Sequence, residues 1–439
     1  MIAPKMQPRA IPIRSPIASP ELKRRNLRGP GRAFLFSLSQ FGVNLWVMLL
    51  AVVVFGLTQG CATLKQRRPV PEAHSQIAQI PGIPMARIWG DQLPPDLDKR
   101  LAELKAQVRT NNPETIGRPH NYLAISGGGA NGAFGAGLLV GWTEAGDRPS
   151  FTMVTGISTG ALIAPFAFLG PAYDMHLKDV YTTVSTEELI RRRWFSKIIT
   201  GDAATSTEPM QKLLARYYTQ QMLADIAAAY EKGRRLFVGT TNLDAERPVF
   251  WNITAIAASG NPKALELVHK ILLASASIPA AFPPVYIEVE ANGQRYDEMH
   301  VDGGTTTQVF LFPAALDWSE VAEKLKVKGK SRAYVIRNSF LQPQWEAVDP
   351  KLVPIAMRSI SSLIRTQGVG DIYRIYIEAE KAGIEYNLAH IPTDFREKPK
   401  EEFDPEYMQK LFDLGYGLAK DGYPWEKAPP GVEPEEGER

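Results

Sequence analysis

The sequence predicts an α/β protein with a central, mostly parallel sheet covered by helices. Two strand–loop–helix units stand back to back. Tyr122–Ser126 leads through a glycine-rich loop into a helix ending near Glu144, and Phe151–Thr155 leads into the apolar helix Ala161–Leu169. A helical stretch, Glu208–Lys232, then precedes strands at Arg235–Asn242 and Val249–Ala255. Alternation of this kind builds parallel sheets, because each crossover helix carries the chain back to the edge where it started.

The N-terminal region, 1–61, reads as a signal peptide or membrane anchor. The chain carries a formal charge of +3, but residues 1–60 hold eight basic side chains against Glu21 alone; the remainder has 42 basic and 46 acidic residues, a net of −4. Such a body lacks the basic footprint of a nucleic-acid binder. Basic residues ahead of an apolar run, Ala33–Phe55, follow the positive-inside pattern. Gly60-Cys61-Ala62 is similar to the end of a bacterial lipoprotein signal, in which the cysteine is lipidated. The expectation is a membrane-associated, lipid-anchored protein of a bacterial cell envelope. A single N-terminal transmembrane anchor is the alternative, since about 20 apolar residues span a bilayer.

Cys61 is the only cysteine, so neither an intrachain disulfide nor a cysteine-based metal site can form. The six histidines show no HExxH spacing, and no metal or cofactor is expected.

Residues 62–95 are proline-rich and polar and read as a tether. The body, 96–421, opens on the helical spacing of Leu97–Val108. In Glu208–Lys232, Ser206 or Thr207 offers the cap and Pro209 stands in the first turn. Val285–Glu290 and Arg295–Val301 flank Asn292-Gly293, whose tolerance of positive φ marks a hairpin. Ala333–Ser339 adds a strand, and Pro354–Ala382 and Pro405–Lys420 have helical spacing. Residues 422–439, rich in proline and glutamate, read as a loose tail.

Three motifs carry chemistry. Gly156-Ile157-Ser158-Thr159-Gly160 sits between a strand and a helix, the context of a nucleophile elbow. The tight turn pushes the Ser158 hydroxyl out of the sheet, and the following helix N-terminus favours developing negative charge. Gly127-Gly128-Gly129-Ala130-Asn131-Gly132 also joins a strand to a helix, and its amides suit an oxyanion hole, with Gly128 and Gly129 the leading donors and Gly127 beside them. The same string fits a dinucleotide fingerprint formally. The next strand, however, ends in Thr155-Gly156-Ile157-Ser158 and not in the acidic residue that would bind ribose. Asp302-Gly303-Gly304 ends a strand, where an aspartate either faces a site or caps a turn.

In this order the motifs resemble the patatin-like phospholipase family across roughly 122–312. Ala274-Ser275-Ala276-Ser277-Ile278-Pro279-Ala280-Ala281-Phe282-Pro283-Pro284 is similar to that family's serine- and proline-containing stretch ahead of the aspartate. The resemblance implies a three-layer α/β/α fold and a lipid or phospholipid acyl-ester substrate met at a membrane surface. It also implies a Ser158–Asp302 dyad acting without histidine through an acyl-enzyme. Asn131 stands where the family usually has Arg or Lys, which removes a cation from the loop. For Asp302 to serve as base, burial must raise its pKa above the ordinary value near 3.9.

Two alternatives stay open: a Ser-Asp-His esterase using His300 or His390, and a catalytically silent lipid-binding lipoprotein. Phe134, Trp142, Phe282, Phe310 and Phe312 are candidates for an acyl pocket or for plain core packing. The run Arg191-Arg192-Arg193-Trp194-Phe195 suits an anionic membrane surface or an ordinary solvated face.

Overall fold

The computed structural model describes residues 67–185, 191–192, 205–279, 281–313 and 316–432. Chain contacts divide the molecule between Gln66 and Arg67, and only the second unit, Arg67–Arg439, is described. The apolar run Ala33–Phe55 and Cys61 therefore lie outside the described residues, as do Arg193, Trp194 and Phe195. None of the described helices is long and apolar enough to cross a membrane.

Nine strands form the main sheet: β1 (Arg87–Trp89), β2 (Asn121–Ile125), β3 (Met153–Ile157), β4 (Arg235–Asn242), β5 (Arg247–Asn252), β6 (Val285–Ala291), β7 (Gln294–Asp302), β8 (Arg332–Arg337) and β9 (Glu385–His390). At its centre β4, β3, β2, β8 and β9 run parallel. β5 and β1 extend it antiparallel, and the β6–β7 hairpin, turning at Asn292 and Gly293 with positive φ, pairs with β4. In β2, Leu123 and Ile125 face one core cluster while Tyr122 and Ala124 face another. A strand buried on both faces needs helices on both sides, and this produces the three α/β/α layers.

One layer contains α2 (Gly132–Ala145), α3 (Thr159–Leu169), α4 (Asp174–Thr183), α5 (Glu208–Tyr217), α6 (Gln220–Glu231), α7 (Ile253–Ala258), α8 (Ala264–Ser275) and α11 (Pro405–Lys420). The other is built around α10 (Leu352–Lys381), with α1 (Leu97–Asn111) and α9 (Trp318–Leu325) near its margin.

Several boundaries differ from those read in the sequence. Glu208–Lys232 is two helices, because Thr219 leaves helical geometry and its side chain accepts the Met222 N–H as a cap. The strand expected through Ala255 stops at Asn252, whose side chain caps α7. Asn caps helices readily, and here that local bond outweighs the β-branched run behind it. The part of the tether from Arg67 to Pro95 is packed on the body: Ala78, Ile80, Ile83 and Ala86 are buried, and β1 joins the sheet edge. Arg87 there forms a buried ion pair with Glu298 of β7. Within the tail, Glu426 bridges to Leu388 and Trp425 packs on Trp142 and Tyr334.

Candidate active site

Strand β4 acts as a ruler for the site. Its first residues, Arg235–Gly239, pair with β3 up to Ile157, and its last three, Thr240–Asn242, pair with β7, with Thr240 opposite Asp302. The ends of β3 and β7 are thereby brought to adjacent steps of one strand. Ser158 and Asp302, 144 positions apart in the numbering, meet there.

Ser158 has φ 55° and ψ −125°, a strained conformation for a residue with a side chain. Two contacts hold it. A Cβ on Gly160 would stand 2.3 Å from the Ile125 carbonyl oxygen, so only glycine lets α3 begin this close to β2. The Ser158 N–H donates to Ser275 Oγ at 3.0 Å, and the Ser275 hydroxyl donates to the Gly239 carbonyl at 2.6 Å. Ser275, last residue of α8, thus pins the elbow to β4. Sequence reading gave it only as part of a similar segment; its role depends on a contact no local pattern encodes.

Asp302 is buried, 5% exposed. Its N–H donates to the Ser277 carbonyl at 2.9 Å, and its Oδ1 accepts the Gly304 N–H at 2.7 Å. Oδ2 is buried and accepts no bond among the described residues. Burial pushes the carboxyl up to about 7, against the opposing influence of the Ser158 hydroxyl and the Gly304 amide. The Ser158 hydroxyl is near enough to affect the carboxyl, yet no aligned hydrogen bond joins the two. Burial is the condition that the base role required.

The glycine-rich loop stands beside the serine, since a Cβ on Gly127 would lie 3.1 Å from Ser158 Cβ. One of the three expected donors is corrected: the Gly127 N–H is already bonded to the Gln308 carbonyl at 3.2 Å. The N–H groups of Gly128 and Gly129 have no acceptor among the described residues, nor has that of Thr159, the first residue of α3. Gly128 is fixed by close approach, as a Cβ there would meet the Asn338 carbonyl oxygen at 2.0 Å. Gln308 ties the halves together, its Nε2 donating to the Gly304 carbonyl at 2.6 Å. Gly132 opens α2 and Gly156 is the last residue but one of β3; Gly303 and Gly304 follow Asp302. Asn131, in the position lacking the family's cation, accepts a bond from the Tyr407 hydroxyl of α11 at 2.7 Å.

Neither histidine considered for a triad is bonded to Ser158 or Asp302. His300 is buried between Thr240 (2.9 Å) and Glu298 (3.1 Å), anchoring β7 to β4, and burial lowers its pKa. Burial would raise the Glu298 carboxyl, but Arg87 and His300 outweigh it and hold it at about 2. His390 bonds the Ile391 carbonyl and Glu426. Phe134, Trp142 and Phe282 are buried. Phe310 and Phe312 border a cavity of about 790 Å³ that also touches the first residues of β2 and β3; none of the motif residues lines it.

Residues 123–315 match the family profile of patatin-like phospholipases. A search of curated proteins gave no match. Among solved structures, the chain is similar to VipD from Legionella pneumophila, with 13% identity and a TM-score of 0.34 over 69% of this chain and 67% of that one. It is also similar to the type III effector protein ExoU, with 14% identity and a TM-score of 0.19 over 69% of this chain and 53% of that one. By the profile match, residues 123–315 are similar to patatin-like phospholipases, a family whose activity is lipid acyl hydrolysis.

Proposed function

We propose that the protein is a serine lipid acyl hydrolase in which Ser158 is the nucleophile and Asp302 its base. The Asp302 carboxylate takes the hydroxyl proton as Ser158 Oγ attacks an ester carbonyl. The amides of Gly128 and Gly129 receive the oxyanion, joined by Thr159 if the elbow works as in other serine hydrolases. Collapse expels the alcohol, which leaves with the proton held by Asp302. Water then attacks the acyl-enzyme, again yielding its proton to Asp302; collapse breaks the bond to Ser158 Oγ, which takes that proton back as the fatty acid is released.

The observation that carries this reading is a buried carboxyl with one oxygen unpartnered beside a strained serine. Its pKa of about 7 gives it the proton affinity that histidine supplies in a triad, near the optimum for a base at neutral pH. Lipid profiling of the full chain against Ser158→Ala tests it: fatty acid release from phospholipid or glyceride is expected from the wild type only, and equal release by both would refute it.

We further propose that the N-terminal region holds the protein at a bacterial envelope membrane through lipidated Cys61. Mass spectrometry of the membrane fraction is expected to find a mature chain beginning at a modified Cys61. An unmodified Cys61 behind an intact N-terminus would assign the attachment to a transmembrane anchor.

A further inference from the structure

The two halves of α10 have different surroundings. From Gly368 onward it lies on the sheet, with Asp371, Ile372, Ile375 and Ala379 buried. Between Leu352 and Thr366, about four turns, no residue whose side-chain surroundings are described is buried. Leu352 is 83% exposed and Leu363 71%, with Ile355 and Ile360 also exposed; Trp345, in the approach to the helix, is 87% exposed. Each such side chain leaves in water an apolar surface whose burial would be favourable.

The pattern on this half is amphipathic. At 100° per residue, Leu352, Ile355, Ile360 and Leu363 fall within an arc of about 140°, while Arg358 and Arg365 share the opposite side. No acidic residue occurs from 352 to 366. Arg358 reaches Glu346 at 3.3 Å and Lys351 reaches Asp349 at 2.5 Å, exposed pairs that exchange readily for other anions. An apolar arc backed by arginines fits the boundary of a bilayer containing anionic lipid, where the apolar side enters the acyl region and the cations meet phosphate.

The segment is joined to the catalytic edge. Gln367 donates to the Thr306 carbonyl, and Asp371 Oδ2 accepts the N–H groups of Gln308 (2.6 Å) and Val309 (3.2 Å). The same Gln308 binds Gly127 and Gly304. The projecting half therefore leaves the protein beside the loop that follows Asp302.

We propose that Leu352–Arg365 is an interfacial segment that seats the protein on an anionic bilayer, inserting Leu352, Ile355, Ile360 and Leu363 and presenting lipid to the catalytic edge. Presentation of substrate rests on the hydrolase reading; seating does not. The test uses the full chain in nanodiscs of phosphatidylcholine and phosphatidylglycerol, as wild type and as Leu352→Ser/Ile355→Ser/Leu363→Ser. These positions are exposed, so the triple variant is expected to fold. Phosphatidylglycerol with a photoactivatable acyl chain should crosslink within 345–365, at least fivefold less in the variant. Hydrolysis of bilayer phospholipid should fall at least tenfold, while kcat/KM on a soluble short-chain ester stays within twofold. Crosslinking elsewhere, or an equal fall on both substrates, would overturn the proposal. So would a variant that loses a dimer while keeping bilayer hydrolysis, which would assign the surface to a second copy. Crosslinking at 345–365 by a wild type inactive on both substrates would support seating while the hydrolase reading failed.

Discussion

The elbow at Ser158 and the projecting half of α10 are opposites in construction. Around Ser158 the backbone is tightly packed: a methyl group at Gly128 or Gly160 would collide with a carbonyl, and Asp302 is only 5% exposed. Along 352–366 no residue whose side-chain surroundings are described is buried. Chemistry needs groups held so rigidly that strain and a raised pKa persist, because the surroundings leave no relaxed alternative. A surface that meets a soft, variable partner needs the reverse. Changes at the first region should therefore affect turnover of any ester, and changes at the second only that of lipid held in a bilayer.

The largest expected effect is that of Asp302→Asn, a loss of roughly 10⁴-fold in kcat on a soluble ester, by analogy with removing the base function of other serine hydrolases. The same variant should be more stable than the wild type above neutral pH. Because the folded-state pKa of Asp302 is raised to about 7, its favourable contribution is complete below the unfolded value near 4 and is lost as pH rises through 7. Thermal melts at pH 8 and pH 4 should show a gain at the first and little at the second. A wild-type log kcat/KM profile on a soluble ester should follow the carboxylate, rising tenfold per unit below an inflection near 7 and levelling above it. A flat profile between pH 5 and 8 would remove Asp302 from the base role.

Much of the site was legible because its geometry is local. A strand, a glycine two residues either side of a serine, and a helix define the elbow within a dozen residues, and the glycine loop is equally self-contained. What escaped depends on pairings across the chain. That β4 serves as a common ruler for β3 and β7 follows from register, which neither strand encodes alone. The loss of Gly127 as a donor follows from the Gln308 carbonyl facing it. Ser275 pins the elbow only because the apolar helix α8 ends against β4, a tertiary contact. The tether was misjudged from its prolines, whereas the packing of Ala78, Ile80 and Ile83 beside the hairpin is a tertiary matter.

Smaller effects sharpen the contrast. Gly128→Ala drives a methyl group into the Asn338 carbonyl and displaces the loop; kcat should fall about 10²–10³-fold, the scale of one lost oxyanion donor. Ser275→Ala leaves the Ser158 N–H buried and unbonded, at a cost of about 1–3 kcal/mol, and should lower both melting temperature and kcat, the latter about tenfold. Tyr407→Phe frees Asn131 and should change kcat on a soluble ester only a few-fold. An effect of Tyr407→Phe as large as that of Asp302→Asn would mean that Asn131 belongs to the chemistry.

The most direct measurement is the rate at which a fluorophosphonate modifies the protein, followed by intact mass and peptide mapping. The wild type should gain a single adduct on Ser158, and Asp302→Asn should gain it at least 100-fold more slowly. Modification of another residue, or equal rates for the two proteins, would contradict a serine activated by a buried carboxylate.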